Sequence, residues 1–328
     1  MKEHEIRPEA LFNRYLKMSA TDARGSFGGD SRVAVACVAC GESGNTVQFE
    51  KFGFAYVSCD GCGTLFQSPR PSALALNAFY RESPSSRYWA EVFFPAVAEV
   101  RREKMFRPRV DRVAGICHER NIRVERLVDV GAGYGIFLDE WRARFPHTDC
   151  LAVEPSESLA QQCRSSGLPV IADVVENVAG YEGWADLVTC FEVLEHVHAP
   201  LDFVTVLKGL VRPGGCVCVS TLCVDGFDLQ MLWDKSTQVS PPHHINFLSV
   251  RGFERLFARA GLEDVVVTTP GQLDVDIVRN AAERDPDLLA GHRFLRGVLA
   301  REGTPGRFQE FLSENRLSSH AWITGRRA

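Results

Sequence analysis

Several things are scarce in this chain, and each scarcity excludes something. Its 328 residues contain no apolar run long enough to span a bilayer, so no membrane partner is expected. Basic residues are not in excess: 37 Lys and Arg face 42 Asp and Glu, a formal net charge of −5. That is not a phosphate-neutralising balance, and nucleic acid is not the expected partner. The first thirty residues lack the apolar h-region of a signal peptide, which points to the cytoplasm. Internal repeats and low-complexity segments are missing as well.

Cysteine is the exception to this scarcity. There are 11, an odd number in a long chain with no expected leader, which argues against a disulfide scaffold. Seven of them (Cys117, Cys150, Cys163, Cys190, Cys216, Cys218, Cys223) mostly sit in apolar runs and read as small buried hydrophobes. At 45% hydrophobic and 24% charged, the composition is that of a globular protein with a sizeable core. The length suits one large α/β domain with something smaller attached.

The texture changes along the chain. Residues 1–30 read as a short helix, "RPEALFNRYLKMS", followed by a polar glycine-rich link, "TDARGSFGGDS". Residues 31–70 hold short β-like pieces between two cysteine pairs. Residues 71–123 are mostly helical and rich in aromatics and arginines. From residue 124 to 328, strand-like runs alternate with helical patterns, the mark of βαβ units and a mainly parallel sheet. The strands are "RLVDVGA", "DCLAVEP", "LPVIAD", "ADLVTCFEV", "GGCVCVST", "LEDVVVTT" and "SHAWITGR". A helical insertion at 270–317 separates the last two and is longer than an ordinary connection.

The first of these strands runs into "DVGAGYG", residues 129–135. A dinucleotide fingerprint would be G-x-G-x-x-G, but the position of its third glycine is Ile136. The glycine comes one residue early, at Gly135, giving G-x-G-x-G behind Asp129. Glycines there let the backbone turn tightly and approach a ligand without a Cβ in the way. The second strand ends at Glu154–Pro155, about twenty residues on, where an acid can accept from both hydroxyls of a ribose. The third ends at Asp173, and the fourth runs into "CFEVLEHVHAP".

This series, with "RPGG" before the fifth strand, resembles class I S-adenosylmethionine (SAM)-dependent methyltransferases, in the small-molecule and sugar branch. The resemblance covers residues 126 to about 270 and the last strand. It implies a Rossmann-like α/β fold with a seven-stranded sheet, carrying here a zinc-ribbon module and a helical lid and insertion. It also implies a cofactor lined by Asp129, Gly131, Ala132, Gly133, Gly135, Glu154, Pro155, Asp173, Phe191 and Glu192.

"CVAC" at 37–40 and "CDGC" at 59–62 are two C-x-x-C pairs, each followed by glycine. Cys37, Cys40, Cys59 and Cys62 can present four thiolates tetrahedrally, the signature of a structural zinc ribbon. Iron in a rubredoxin-like site uses the same ligands and is the minor alternative. Four thiolates leave no open position, so a catalytic zinc is not expected.

Methyl transfer to oxygen or carbon usually needs a base beside the acceptor, and histidine suits neutral pH. "PPHHINFLS" follows the fifth strand and offers His243 and His244, with His196 of "LEHV" as the second choice. Arg87, Arg101, Arg102, Arg107 and Arg109 of the lid are candidates for a phosphate or carboxylate on the acceptor. Asp274 and Asp276 are either helix-start acids or acceptor contacts. The large C-terminal domain of sugar C-methyltransferases is not matched, which leaves O- or N-methylation ahead. The expected acceptor is a small polar molecule such as a nucleotide-linked sugar, a glycan precursor or a natural-product intermediate. Two readings compete with it: a zinc-ribbon rRNA or tRNA methyltransferase, and a non-catalytic SAM-binding scaffold. Residues 30–68 carry only Arg32 and Lys51 against Asp30, Glu42, Glu50 and Asp60, which disfavours RNA. Oligomeric state is left open.

Overall fold

The computed structural model describes residues 1–25, 27 and 32–328. Of the glycine-rich link expected over 21–31, residues 21–25 continue the helix Glu9–Gly25, and residues 26 and 28–31 lie outside the described set.

Thirteen strands are described: β1 (Arg32–Val33), β2 (Asn45–Lys51), β3 (Phe54–Cys59), β4 (Leu65–Gln67), β5 (Arg70–Pro71), β6 (Arg126–Val130), β7 (Asp149–Val153), β8 (Val170–Ile171), β9 (Ala185–Phe191), β10 (Val211–Leu222), β11 (Asn246–Phe247), β12 (Glu263–Thr268) and β13 (His320–Arg326). Seven form the main sheet, in the order β12-β13-β10-β9-β6-β7-β8. The run from β10 to β8 is parallel, and β13 is antiparallel to both its neighbours. All seven expected strands are present. The fifth is longer than expected: it adds "VRP" at its start, through a register shift between Val211 and Cys216, and Leu222 at its end.

Alternation within the strands divides the core. Leu127, Ala152, Leu187, Cys216 and Cys218 pack under helices 107–119 and 136–144, with Trp141 and Phe137 filling the gap. Val128, Val130, Val188, Cys190, Val217 and Val219 face helices 200–210 and 250–259 on the other side. The seven cysteines outside the paired motifs are all buried.

The ribbon has its own four-stranded sheet, in the order β11-β4-β3-β2. Its outer strand β11 belongs to the methyltransferase part of the chain and pairs antiparallel with β4, Asn246 with Phe66 and Phe247 with Leu65. Residues 84–119 form one long helical run, interrupted by π turns at Trp89–Phe93 and Arg102–Phe106. It reaches the glycine loop, where Phe94 stacks on Tyr134 at 4.6 Å. The insertion is helical, as expected, over Asp274–Arg284, Arg293–Ala300 and Thr304–Glu314.

Candidate active site

The glycine loop leaves β6 at its carboxyl end, and the N–H groups of Gly131 and Ala132 donate to the Val153 carbonyl at 2.8 and 3.2 Å. Its glycines serve different ends. A Cβ on Gly131 would lie 2.5 Å from Val193 Cγ2, and one on Gly135 would lie 2.6 Å from Leu168 Cδ1. Gly133 has left-handed φ and nothing within 4 Å of its Cβ position, so the loop is open there. Glu154 ends β7 as a buried carboxylate. It accepts from Gly133 N at 2.8 Å and Ser156 N at 2.9 Å, one bond per oxygen, which leaves a lone pair on each. Burial pushes its pKa up, against these two N–H donors.

Asp129 is buried beneath the loop and accepts the Thr189 hydroxyl at 2.7 Å. Burial raises its pKa to about 7, opposed by that hydroxyl and by Arg109. Asp173 follows β8, is exposed, and accepts from Val174 N and Asn177 Nδ2. Pro155 is exposed beside Glu154. Phe191 ends β9 with the Arg109 guanidinium 4.4 Å from its ring centroid. These residues all stand at carboxyl ends of neighbouring parallel strands, where ligands of open α/β sheets bind.

Glu192 adopts left-handed φ (58°), rare for a residue with a side chain. Its Oε1 accepts from Ser220 Oγ at 2.6 Å and His320 Nε2 at 2.8 Å, with Arg109 at 3.5 Å. Burial works to raise its pKa, but His320 and Arg109 hold it well below the usual range. His320 opens β13, opposite Leu222 at the end of β10. A cleft of about 1050 Å³ begins there, lined by Arg109, Arg112, Arg120, Glu192, His320 and Trp322 among others.

The three sequence-chosen histidines converge, but they differ. His243 is buried, bonded through Nε2 to Ser85 Oγ at 3.1 Å, with its ring against Phe79 and Tyr80. Its carbonyl accepts from the Tyr80 hydroxyl and His196 Nδ1, both at 2.8 Å. His244 donates from Nδ1 to the Gln238 carbonyl at 2.6 Å, which leaves Nε2 as the free acceptor. Burial lowers His243 to about 3 and His244 to about 4, so both rings are neutral at neutral pH. Buried Glu195 accepts the Thr221 hydroxyl at 2.7 Å. Burial and the nearby Glu192 raise its pKa to about 8. Glu195, His196 and His244 each offer a ligand atom, all within 4.8 Å of one another, an arrangement able to hold a divalent cation.

The ribbon underlies this group. Gln67 Nε2 donates to Tyr56 Oη, and Tyr56 donates to the His244 carbonyl, both at 2.8 Å. Fully buried Arg70 donates to the Gln67 and His198 carbonyls and to Asn246 Oδ1. Asn246 in turn donates to the Leu194 and Val197 carbonyls. The "EVLEHV" and "HHIN" segments are thus pinned to each other and to β4. Neither Arg70, Tyr80, Asn246 nor His320 stands out in the sequence. Each matters through a partner more than a hundred positions away.

Cys37, Cys40, Cys59 and Cys62 come together with sulfurs within 4.8 Å of one another. Each pair is a knuckle closed by its glycine: Gly41 N donates to the Cys37 carbonyl at 2.8 Å and Gly63 N to the Cys59 carbonyl at 2.9 Å. Of the lid arginines, Arg109 alone reaches the strand-end site. Arg101 is buried on the Ile6 carbonyl, Arg102 and Arg107 pair with Glu140, and Arg87 is exposed. Asp274 holds Ser318, Ser319 and Gln309, and Asp276 holds Glu3 N and Arg279, both in supporting roles.

Comparison with known proteins agrees with this geometry. The family model "Methyltransferase domain" matches residues 97–267, just over half of the chain. A ubiquinone biosynthesis O-methyltransferase from Methylococcus capsulatus is 40% identical over 104 residues, 30% of this chain and 43% of that protein. A tRNA U34 carboxymethyltransferase from Azotobacter vinelandii is 30% identical over 158 residues, 44% of this chain and 47% of that protein. The chain spans about half the length of the curated relatives it matches. Among solved structures, a SAM-dependent methyltransferase from Archaeoglobus fulgidus aligns with a TM-score of 0.50 at 14% identity, covering 72% of this chain and 100% of that one. The plantazolicin methyltransferase BpumL, solved with S-adenosylhomocysteine, aligns with the same score and identity over 77% of this chain and 94% of its own. Both likenesses concern the fold. By its family model, its strand order and its glycine loop, the chain belongs to the methyltransferase domain family, as a class I SAM-dependent methyltransferase with an N-terminal four-cysteine cluster.

Proposed function

We propose that the chain methylates an oxygen, or a nitrogen, of a small polar acceptor bearing a phosphate or carboxylate, such as a nucleotide-linked sugar, a glycan precursor or a natural-product intermediate. The observation that carries this reading is the cleft at Glu192 and His320, whose wall holds Arg109, Arg112 and Arg120.

SAM, when bound, supplies an electrophilic methyl group. The residues present suit it: Gly133 leaves room, and Glu154 retains an acceptor site on each oxygen for the ribose hydroxyls. Asp173 is free to take the adenine amino group, and Asp129, held by the Thr189 hydroxyl, sits at the base of the loop. Glu192, fixed by His320, Arg109 and Ser220, forms the corner between cofactor and acceptor. His244 is placed as the proton acceptor, because its Nδ1 is tethered and its Nε2 is free. His196 stands beside it, with ring centroids 4.8 Å apart. His243 orders the loop from behind.

The ribbon, residues 31–70, is read as a structural zinc module that floors the histidine group, with 71–123 as the lid. Four ligands at a Zn–S distance of about 2.3 Å place sulfurs about 3.8 Å apart. The sulfurs of Cys37 and Cys62 lie 3.6 Å apart and those of Cys40 and Cys59 3.5 Å, near that spacing and far from a disulfide bond.

The test is transfer of labelled methyl from SAM to a cell extract split into small-molecule, polysaccharide, protein and RNA fractions. Label in a small molecule or glycan, identified by mass, is the expected result. Label in RNA would overturn the reading, and SAM binding with no label anywhere would favour a non-catalytic scaffold.

A further inference from the structure

We propose that Glu195, His196 and His244 form a binding site for a divalent transition-metal ion that takes an oxygen of the acceptor as a further ligand, an inference that rests on reading this group as the acceptor side. The ion is separate from the zinc of the cysteine cluster, where four thiolates leave no open position.

Two loops meet here, one after β9 and one before β11, and the Asn246 side chain ties them by donating to the Leu194 and Val197 carbonyls. One side-chain atom from each of Glu195, His196 and His244 lies within 4.8 Å of the other two. Ligands on opposite sides of an octahedral ion, each about 2.1 Å from it, lie about 4.2 Å apart. Among the described residues no hydrogen bond joins the three side chains. Each turns another polar atom outward instead. Glu195 Oε2 accepts the Thr221 hydroxyl at 2.7 Å. His196 Nδ1 lies 2.8 Å from the His243 carbonyl and His244 Nδ1 2.6 Å from the Gln238 carbonyl. A carbonyl can only accept, so both Nδ1 atoms carry the proton and both Nε2 atoms keep a lone pair.

What remains is three acceptors, Glu195 Oε1 and the two Nε2 atoms, on neighbouring side chains with no proton donor between them. Such a group repels itself unless a cation stands among its members. Outer partners that fix the tautomer and direction of each ring are the usual support of a metal-bound histidine. Two imidazoles and one carboxylate suit first-row ions such as Fe²⁺, Co²⁺ or Zn²⁺ better than Mg²⁺ or Ca²⁺, and three protein ligands leave open positions. Of the neighbouring cations, Arg109 is paired with Glu192 and Arg7 with Glu3, so neither stands free to repel an ion. Glu195 is buried while His196 and His244 are half-buried, which leaves the group within reach of solvent. An ion held there binds an acceptor hydroxyl and makes it more acidic. His244 Nε2 is then a ligand rather than the proton acceptor. The hydroxyl gives its proton to water, its oxygen bonds to the methyl carbon, and the electron pair of the broken S–C bond stays on sulfur.

The test is Co²⁺ titration of the full-length protein with its cysteine cluster filled by zinc, followed by visible absorption and by elemental analysis after dialysis. About one Co²⁺ per chain is expected, with the weak bands of nitrogen and oxygen ligation, no thiolate charge-transfer band and no loss of zinc. His196→Ala, His244→Ala and Glu195→Gln should each weaken Co²⁺ binding about 100-fold or more, and Thr221→Val, which removes only the outer partner of Glu195, about tenfold. SAM affinity, measured by calorimetry, should be unchanged in each variant and serves as the control for folding. No Co²⁺ bound outside the cysteine cluster, or Co²⁺ binding that survives all three ligand changes, would overturn the proposal. Co²⁺ binding needs no acceptor, so a wrong acceptor class would leave these results standing. Full methyl transfer by protein stripped of the second ion would also overturn it, with His244 then the base.

Discussion

The side proposed for the cofactor and the side proposed for the acceptor are built by different rules. The cofactor side uses consecutive strand ends: Asp129 and the glycines after β6, Glu154 after β7, Asp173 after β8, Phe191 and Glu192 at the end of β9. Each residue is held mainly by its own strand and the next loop. The acceptor side is assembled from far-apart pieces. Tyr80 and Arg109 come from the 71–123 segment, His196 and His244 from two loops, His320 from the last strand, and Arg70 with Tyr56 from the ribbon. One side is a property of topology. The other depends on tertiary contacts, and on the ribbon most of all.

That contrast can be broken at its most dependent point. Cys59→Ser, or strong chelation, should remove about one zinc per chain and with it on the order of 10 kcal/mol of local folding energy. Because β4 carries β11 and Tyr56 of β3 holds the His244 carbonyl, methyl transfer should fall to background and the melting temperature by about 10 °C or more. Metal analysis with circular dichroism checks this. Full activity without metal would show that the floor is dispensable.

Within the acceptor side, His244→Ala should slow turnover about 100-fold and leave SAM affinity unchanged. His243→Ala should instead lower stability by about 1–3 kcal/mol, leaving the Ser85 hydroxyl unpaired. Equal losses of turnover in both would contradict the division of roles. On the cofactor side, Glu154→Ala should weaken SAM binding by about 100-fold or more, the worth of two hydrogen bonds to a charged group at about 1.5 kcal/mol each. An unchanged calorimetric Kd would remove Glu154 from the ribose.

A smaller effect tests how the insertion is held. Asp228 is fully buried, neither of its oxygens has a hydrogen-bond partner among the described residues, and burial with the neighbouring Asp274 raises its pKa from 3.8 to about 8. A carboxyl whose pKa is raised on folding binds its proton more tightly in the native state. Stability is therefore full below pH 4 and declines as pH rises towards 8. Asp228→Asn should remove that decline, stabilising by on the order of 1–2 kcal/mol at pH 9 and much less at pH 4. Urea midpoints that shift equally at both pH values would contradict it.

What the sequence revealed follows the same line. The seven strands and the glycine loop were legible because short apolar runs and G-x-G-x-G are local patterns. So was the cysteine cluster, whose two knuckles each need only four residues and a glycine. The sequence offered His243 and His244 together and could not separate them. One faces Ser85 and the other Gln238, and neither contact leaves a mark in the spacing. Arg70 and His320 were unreadable for a similar reason. An arginine after "QSP" and a histidine before "AWIT" look like surface residues until the fold brings Asn246 and Glu192 to them.

The most direct measurement of the central claim is a crystal structure of the zinc-loaded protein with S-adenosylhomocysteine. The account predicts ribose hydroxyls on Glu154, adenine near Asp173, and the sulfur turned towards Glu192 and the cleft below His320. A cofactor whose ribose misses Glu154, or whose sulfur faces away from that cleft, would contradict it.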